Sequence, residues 1–198
     1  MSCQKHKRKG GLFVNIDQLL ITYCAPTLAR LKMGALLCLH RAGTKEQYEA
    51  SVARYNEQYN HKGLYFRILY QCPQRTLLYV YRPDMVEAYL RQADVARFLA
   101  NLGYTPEAPA PVLLNHLADR FANGGCFPHE SGIFLGYPLA DVIGFIRHKG
   151  SDAKLCGEWK VYGDAEQAAA LFQAYSSCRA AYENSFVTGT ALEKLIVA

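Results

Sequence analysis

The sequence predicts an α+β protein, a mixed α/β sandwich, and three patterns in the chain predict it. Two aromatic and β-branched runs, Leu64 to Tyr70 and Thr76 to Arg82, flank the turn Cys72-Pro73-Gln74-Arg75 and read as an antiparallel hairpin in the N-terminal half. Strand, helix, strand and helix signals then follow one another in the C-terminal half. Helix starts carry capping signals, Thr44-Lys45-Glu46-Gln47 early and Asp164 with Gln167 late.

Gly34 to Leu39 is apolar enough for a further strand, although the Lys32–Leu39 stretch also suits a helix. The helix opened by Thr44 sets Tyr48, Val52, Tyr55 and Tyr59 four, three and four residues apart, which gives one apolar stripe, and Gly63 stops it. Asp84 and Asp94 are the expected N-caps of two short helices, the second ending at Gly103. Pro106, Pro109 and Pro111 make an extended connection. Leu113, Leu114, Leu117 and Phe121 then form one helix face, closed by Gly124-Gly125. Ile133 to Gly136 reads as a short buried strand, Pro138 as the start of a helix to Arg147, and Gly150 as its stop. Glu158 to Tyr162 is a second strand, and Asp164 caps a helix expected to reach about Tyr182.

With 198 residues the chain suits one large domain, expected over 11–198 after a basic disordered tail at 1–10. The net charge of +5 comes mainly from that tail, where Lys5, Lys7, Arg8 and Lys9 stand without an acid. Taking those four from the 22 basic residues leaves 18 against 17 acidic ones. A nearly neutral body argues against the basic stripe that nucleic-acid binding uses. Arg54, Arg67 and Arg82 lie among aromatic residues, and their spacing suits snorkelling side chains better than base stacking. Asn15, Asp17 and Gln18 interrupt the only stretch resembling a secretory segment, and no run approaches the ~20 apolar residues of a membrane span. The seven cysteines are odd in number and scattered, which fits a reducing cytoplasm better than a disulfide framework.

The segment Cys126-Phe-Pro-His-Glu-Ser-Gly-Ile-Phe-Leu-Gly-Tyr-Pro-Leu-Ala-Asp-Val142 gathers the richest chemistry. His129 is a candidate catalytic base or ligand, because an imidazole titrates near neutrality, with Glu130 as its acid or orienting partner. The bland alternative is a turn shaped by Pro128 and Gly132 in which both side chains satisfy backbone groups. Farther on, Cys156-Gly-Glu-Trp-Lys-Val-Tyr-Gly-Asp164 alternates, so Trp159 and Val161 face one way while Lys160 and Tyr162 face the other. Lys160 is a candidate anion anchor and Tyr162 a second donor. Cys126 and His129 have C-x-x-H spacing, with His148, Cys156 or Cys178 available to complete a set, but a structural zinc site normally has two close ligand pairs. No metal is therefore assigned. Phosphate-loop, dinucleotide and nucleophile-elbow signatures are absent, and no cofactor is named by the sequence.

Phe127 to Val142, then Gly144-Phe145-Ile146, then Gly157 to Gly163 resemble the hallmark segments of the domain-of-unknown-function family numbered 3793. Ala25-Pro26-Thr27-Leu28 with Lys32, Tyr79 to Arg82, Leu102-Gly103-Tyr104 and Cys178 follow its order, and Ser131 departs from the aliphatic residue expected there. The resemblance covers nearly the whole chain beyond the tail. It implies a cytoplasmic protein of anaerobic bacteria, loosely associated with flavodoxin and iron-uptake genes, and gives weight to the polar motif residues. His129 and Glu130 are thus the catalytic candidates, and Lys160, Tyr162, Tyr137 and Lys32 the ligand-binding ones. The function expected is handling of an unknown small molecule or cofactor, by an enzyme or a binding protein, at a site where the His129-Glu130 turn meets the Lys160–Tyr162 strand face. The alternative is a non-enzymatic accessory protein docking a redox or iron-handling partner through aromatic surface of the Tyr48–Tyr59 helix and the hairpin.

Overall fold

The computed structural model describes residues 16–40, 44–123 and 127–198; the tail assigned to 1–10, the Gly124-Gly125 stop and Cys126 lie outside them. The architecture is α+β. Helix α1 (Ile16–Leu28) leads into β1 (Gly34–His40), α2 (Lys45–Tyr59), the hairpin β2 (Tyr65–Cys72) and β3 (Arg75–Tyr81). Four helices follow in the middle of the chain: α3 (Pro83–Leu90), α4 (Ala93–Ala100), α5 (Ala110–Asn123) and the single turn α6 (Ser131–Phe134). The remainder is α7 (Leu139–Arg147), β4 (Leu155–Cys156), β5 (Lys160–Val161), α8 (Ala165–Val187) and α9 (Leu192–Leu195).

β3 lies between β1 and β2 in an antiparallel sheet of order β1-β3-β2. Successive side chains of a strand point to opposite faces, and both faces of β3 are covered. Leu78 and Val80 join Leu20, Ile21, Tyr59 and Phe66 in the core under α1 and α2. Tyr79 and Tyr81 join Val86, Leu99, Leu114 and Phe134 in the core under α3 to α6. Covering both faces explains why Thr76 to Tyr81 read as a continuous apolar and aromatic run. A third, smaller cluster forms where Trp159 and Val161 meet Ala168 and Tyr175 of α8.

The expected local signals act at several ends. The Thr44 hydroxyl accepts from the Gln47 amide at 3.3 Å while the Gln47 side chain accepts from the Thr44 amide at 2.8 Å. Asp164 caps α8 by accepting from the Gln167 amide at 2.9 Å. The Gly34–His40 alternative resolves as a strand, paired from Gly34 with Tyr81 to His40 with Arg75.

Other expectations are corrected. Ile133 to Gly136 is no strand: Ser131–Phe134 closes a helical turn, and the amide of Leu135 bonds back to the carbonyls of Ser131 and Gly132. A short apolar run cannot by itself distinguish a buried strand from a buried helical turn. Asp84 and Asp94 are not N-caps; Arg82 and Gln92 hold those positions, with Pro83 taking the first turn of α3. The strand expected over Glu158 to Tyr162 shrinks to Lys160–Val161, because the Gly157 amide turns back onto the Trp159 carbonyl at 3.1 Å. Helix α8 continues past Tyr182 to Val187. Arg82 does not snorkel but is fully buried.

Candidate functional site

α1 ends in a motif that fixes the next residues. Arg30 adopts a left-handed conformation (φ 57°), its amide bonds to Thr27 O at 3.2 Å, and the Leu31 amide to Pro26 O at 2.8 Å. This is the reciprocal pattern of a Schellman cap. The Lys32 amide takes the same Pro26 carbonyl at 3.0 Å, one of the acceptors that the last turn of a helix leaves without an intrahelical partner, and this holds the Lys32 backbone in place.

From there the half-buried Lys32 side chain reaches aromatic surroundings. Its Nζ lies 5.5 Å from the centre of the Tyr137 ring and 5.7 Å from that of Tyr175, within cation–π range. Among the described residues Lys32 Nζ has no hydrogen-bond acceptor. Each ring is held in turn. Tyr137 stacks on Trp159 at 4.9 Å and donates to the Glu158 carbonyl at 3.4 Å, while Tyr175 donates to the Leu31 carbonyl at 3.4 Å. Phe172 meets Trp159 edge-on, with ring centres 4.6 Å apart. The Glu158 carboxylate pairs with both terminal nitrogens of Arg179.

Burial pushes the pKa of Lys32 down; Glu158 and Cys24 oppose that shift, and Arg179 adds to it. Burial also raises the pKa of both phenols, with the Glu158 charge adding to it, so Tyr137 and Tyr175 remain neutral donors. The buried Cys24 thiol is pushed up to about 12, chiefly by desolvation, and is no nucleophile at neutral pH.

The remaining sequence-selected residues lie apart from this cage. His129 is exposed, with its ring 5.1 Å from Phe145. Glu130 is buried beside it in sequence but serves other partners: Arg120 Nε donates to it at 2.7 Å and Tyr104 at 3.4 Å. Lys160 Nζ donates to the Gly150 carbonyl at 2.5 Å. Tyr162 stacks on His148 at 5.4 Å, and its hydroxyl is buried without a hydrogen-bond partner. The structure therefore brings Lys32 to Tyr137, while His129, Glu130, Lys160 and Tyr162 each engage other partners. No three His, Cys, Asp or Glu side chains gather as metal ligands among the described residues, and Cys126 of the C-x-x-H spacing lies outside them. The aromatic stripe of α2 faces the sheet, where Tyr55 packs 5.2 Å from Phe66.

Sequence reasoning missed Glu158, Tyr175 and Arg179 as parts of a site. One signal was available: Ala168, Phe172, Tyr175 and Arg179 stand four, three and four residues apart and share one face of α8. It also missed Asp141, whose buried carboxylate accepts from Trp159 Nε1, the Tyr162 amide and the Gly163 amide, each at 2.7 Å.

These features define an α+β protein in which a lysine from the first helix cap stands in an aromatic cage built by the C-terminal third of the chain. The chain belongs to the family described as Protein of unknown function (DUF3793), whose model matches residues 20–196. No curated protein and no solved structure matches it. No helix of the described residues is long and apolar enough to cross a membrane.

Proposed function

We propose that this is a cytoplasmic ligand-binding protein that takes a small anionic molecule at Lys32. The observation that carries the reading is the Lys32 ammonium, set between two tyrosine rings with no hydrogen-bond acceptor among the described residues. Arg179 already engages Glu158 through two nitrogens, so two cations share that carboxylate and the locality favours one more negative charge. A bound carboxylate or phosphate would supply the acceptor, with the tyrosine faces closing around it. The thiols of Cys24, Cys72, Cys156 and Cys178, unbridged among the described residues, support the cytoplasmic assignment.

Trp159, the sole tryptophan, reports on the cage because it stacks on Tyr137. Titration with inorganic phosphate or acetate, against chloride at matched ionic strength, is expected to change its fluorescence saturably. Lys32→Arg keeps the response and Lys32→Met loses it. An anion favours the protonated amine, so affinity falls as pH rises through the lowered Lys32 pKa toward the ordinary value of 10.5. An unchanged response in Lys32→Met overturns the reading.

A further inference from the structure

The same cage has a covalent use, and this step rests on the reading just given. We propose that Lys32 is a nucleophilic lysine that forms an imine with a small carbonyl compound carrying an anionic group, such as a 2-oxo acid. The first support is geometric. An ammonium locked in a hydrogen bond or ion pair must break it before its lone pair is free, and other lysines of the fold are locked in this way. Lys62 Nζ donates to the Glu193 carbonyl at 2.6 Å, Lys154 Nζ to the Gly163 carbonyl at 2.8 Å and Lys160 Nζ to the Gly150 carbonyl at 2.5 Å. Lys32 Nζ has no such acceptor among the described residues and faces two tyrosine rings, their centres at 5.5 and 5.7 Å.

The second support is the set of groups around the amine. Tyr137, from the loop before α7, and Tyr175, from α8, are neutral phenols that hydrate poorly and present π faces. Glu158 and Arg179 face Lys32 from the β4–β5 ribbon and α8, and Cys24 from α1. Burial raises the share of Lys32 present as free amine. The Schellman cap and the Pro26 carbonyl fix the backbone at Lys32, so the side chain starts from a defined position.

The chemistry balances without an oxidant or reductant. The Lys32 lone pair forms the C–N bond at the carbonyl carbon to give a carbinolamine. The carbonyl oxygen then leaves as water, carrying the two amine protons, and a C=N bond remains. A protein-bound imine activates the adjacent carbon for proton loss or carbon–carbon cleavage, so the ligand class would be oxo acids or aldehydes with an acidic α position.

The test uses the full chain with glyoxylate as probe and sodium cyanoborohydride as trap. Hydride adds to the imine carbon and a solvent proton to nitrogen, leaving a carboxymethyl group that peptide mass mapping locates. The expected result is preferential labelling of Lys32, several-fold faster than at the exposed Lys194, with a pH–rate profile that levels off at lower pH than the surface lysines. Inorganic phosphate should slow labelling of Lys32 but not of Lys194. Lys32→Arg should lose the label at this position while still answering phosphate through Trp159. Equal labelling of Lys32 and Lys194 with the same pH profile overturns the imine proposal and leaves anion binding standing. Absence of the phosphate response in the native chain overturns the reading beneath it instead.

Discussion

Arg82 shows what a single buried charge can do for a chain end. Its Nε donates to Thr27 O at 3.0 Å, and its two terminal nitrogens to Leu28 O and Lys62 O at 2.6 Å each. Two of these carbonyls belong to the last turn of α1, and the third to the last residue of the 3₁₀ turn after α2. One guanidinium thus ties two helix ends to the end of β3, a task for which its fork of donors is suited and a lysine's point charge is not. Desolvation lowers its pKa to about 10, which still leaves it charged at neutral pH. Arg82→Met removes three charge-assisted hydrogen bonds, although Thr27 O keeps the Arg30 amide and Leu28 O the Val197 amide, and the expected loss is about 2 kcal/mol in urea unfolding. Arg82→Lys should recover only part of it. A Met variant as stable as the native chain would mean that these carbonyls find other partners. Nothing in the one-dimensional pattern announced this role. Arg82 sits at the end of an aromatic strand, and its acceptors lie 54, 55 and 20 residues away.

Among the elements, α7 and the β4–β5 ribbon depend on each other through Asp141. A two-strand ribbon with two residues per strand has little stability of its own, and this one pairs only Leu155 with Val161 and Cys156 with Lys160. The three N–H groups converging on the Asp141 carboxylate fix the Trp159 indole and the backbone leaving β5. Gly144, one turn along, allows Tyr162 to lie against α7, since a Cβ there would come within 2.4 Å of the Tyr162 side chain. Asp141→Asn keeps the shape but turns an acceptor into a donor facing N–H groups, so a cost of about 2 kcal/mol is expected. It should come with a red shift of Trp159 emission and a weaker phosphate response, because Trp159 supports Tyr137. A stability loss without the emission change would separate Asp141 from the cage.

The same elements show how much could be read in the sequence. The hairpin, the Thr44 and Asp164 caps and the amphipathic α5 depend on neighbours within a few residues, and local patterns found them. So did the alternation around β5, where Trp159 and Val161 are buried while Lys160 and Tyr162 are half-exposed. The α6 turn was missed because four consecutive buried residues carry no period. Lys32 and Tyr137 were named only through the motifs they belong to. Their meeting is a tertiary fact, made by an α8 residue 38 positions beyond Tyr137 and by the cap of a helix at the other end of the chain.

For the whole molecule, Lys32 stands where the three apolar clusters adjoin. Cys24 belongs to the cluster under α1, Met33 to the one under α3 to α6, and Tyr175 to the satellite around Trp159. α8 also packs along α1. Burying an amine at such a junction makes global stability depend on its protonation. Lys32 has a lowered pKa in the folded chain and an ordinary one, 10.5, when unfolded. Below the folded value both states carry the proton, and the desolvation penalty is felt in full. Between the two values the unfolded chain binds the proton more tightly, so stability rises with pH across that window. Tyr79, Tyr137 and Tyr175 act oppositely above 10, since burial keeps them protonated in the folded chain, which makes a difference measurement necessary. Lys32→Met should therefore be more stable than the native chain near neutral pH, with the margin shrinking as pH approaches 10.5. Unfolding in urea followed by Trp159 emission and by far-ultraviolet circular dichroism should give coincident transitions in both proteins, as expected of one cooperative unit. A margin that does not change with pH would mean that Lys32 is solvated and keeps an ordinary pKa, while non-coincident transitions would mean that the Trp159 cluster unfolds apart from the sheet.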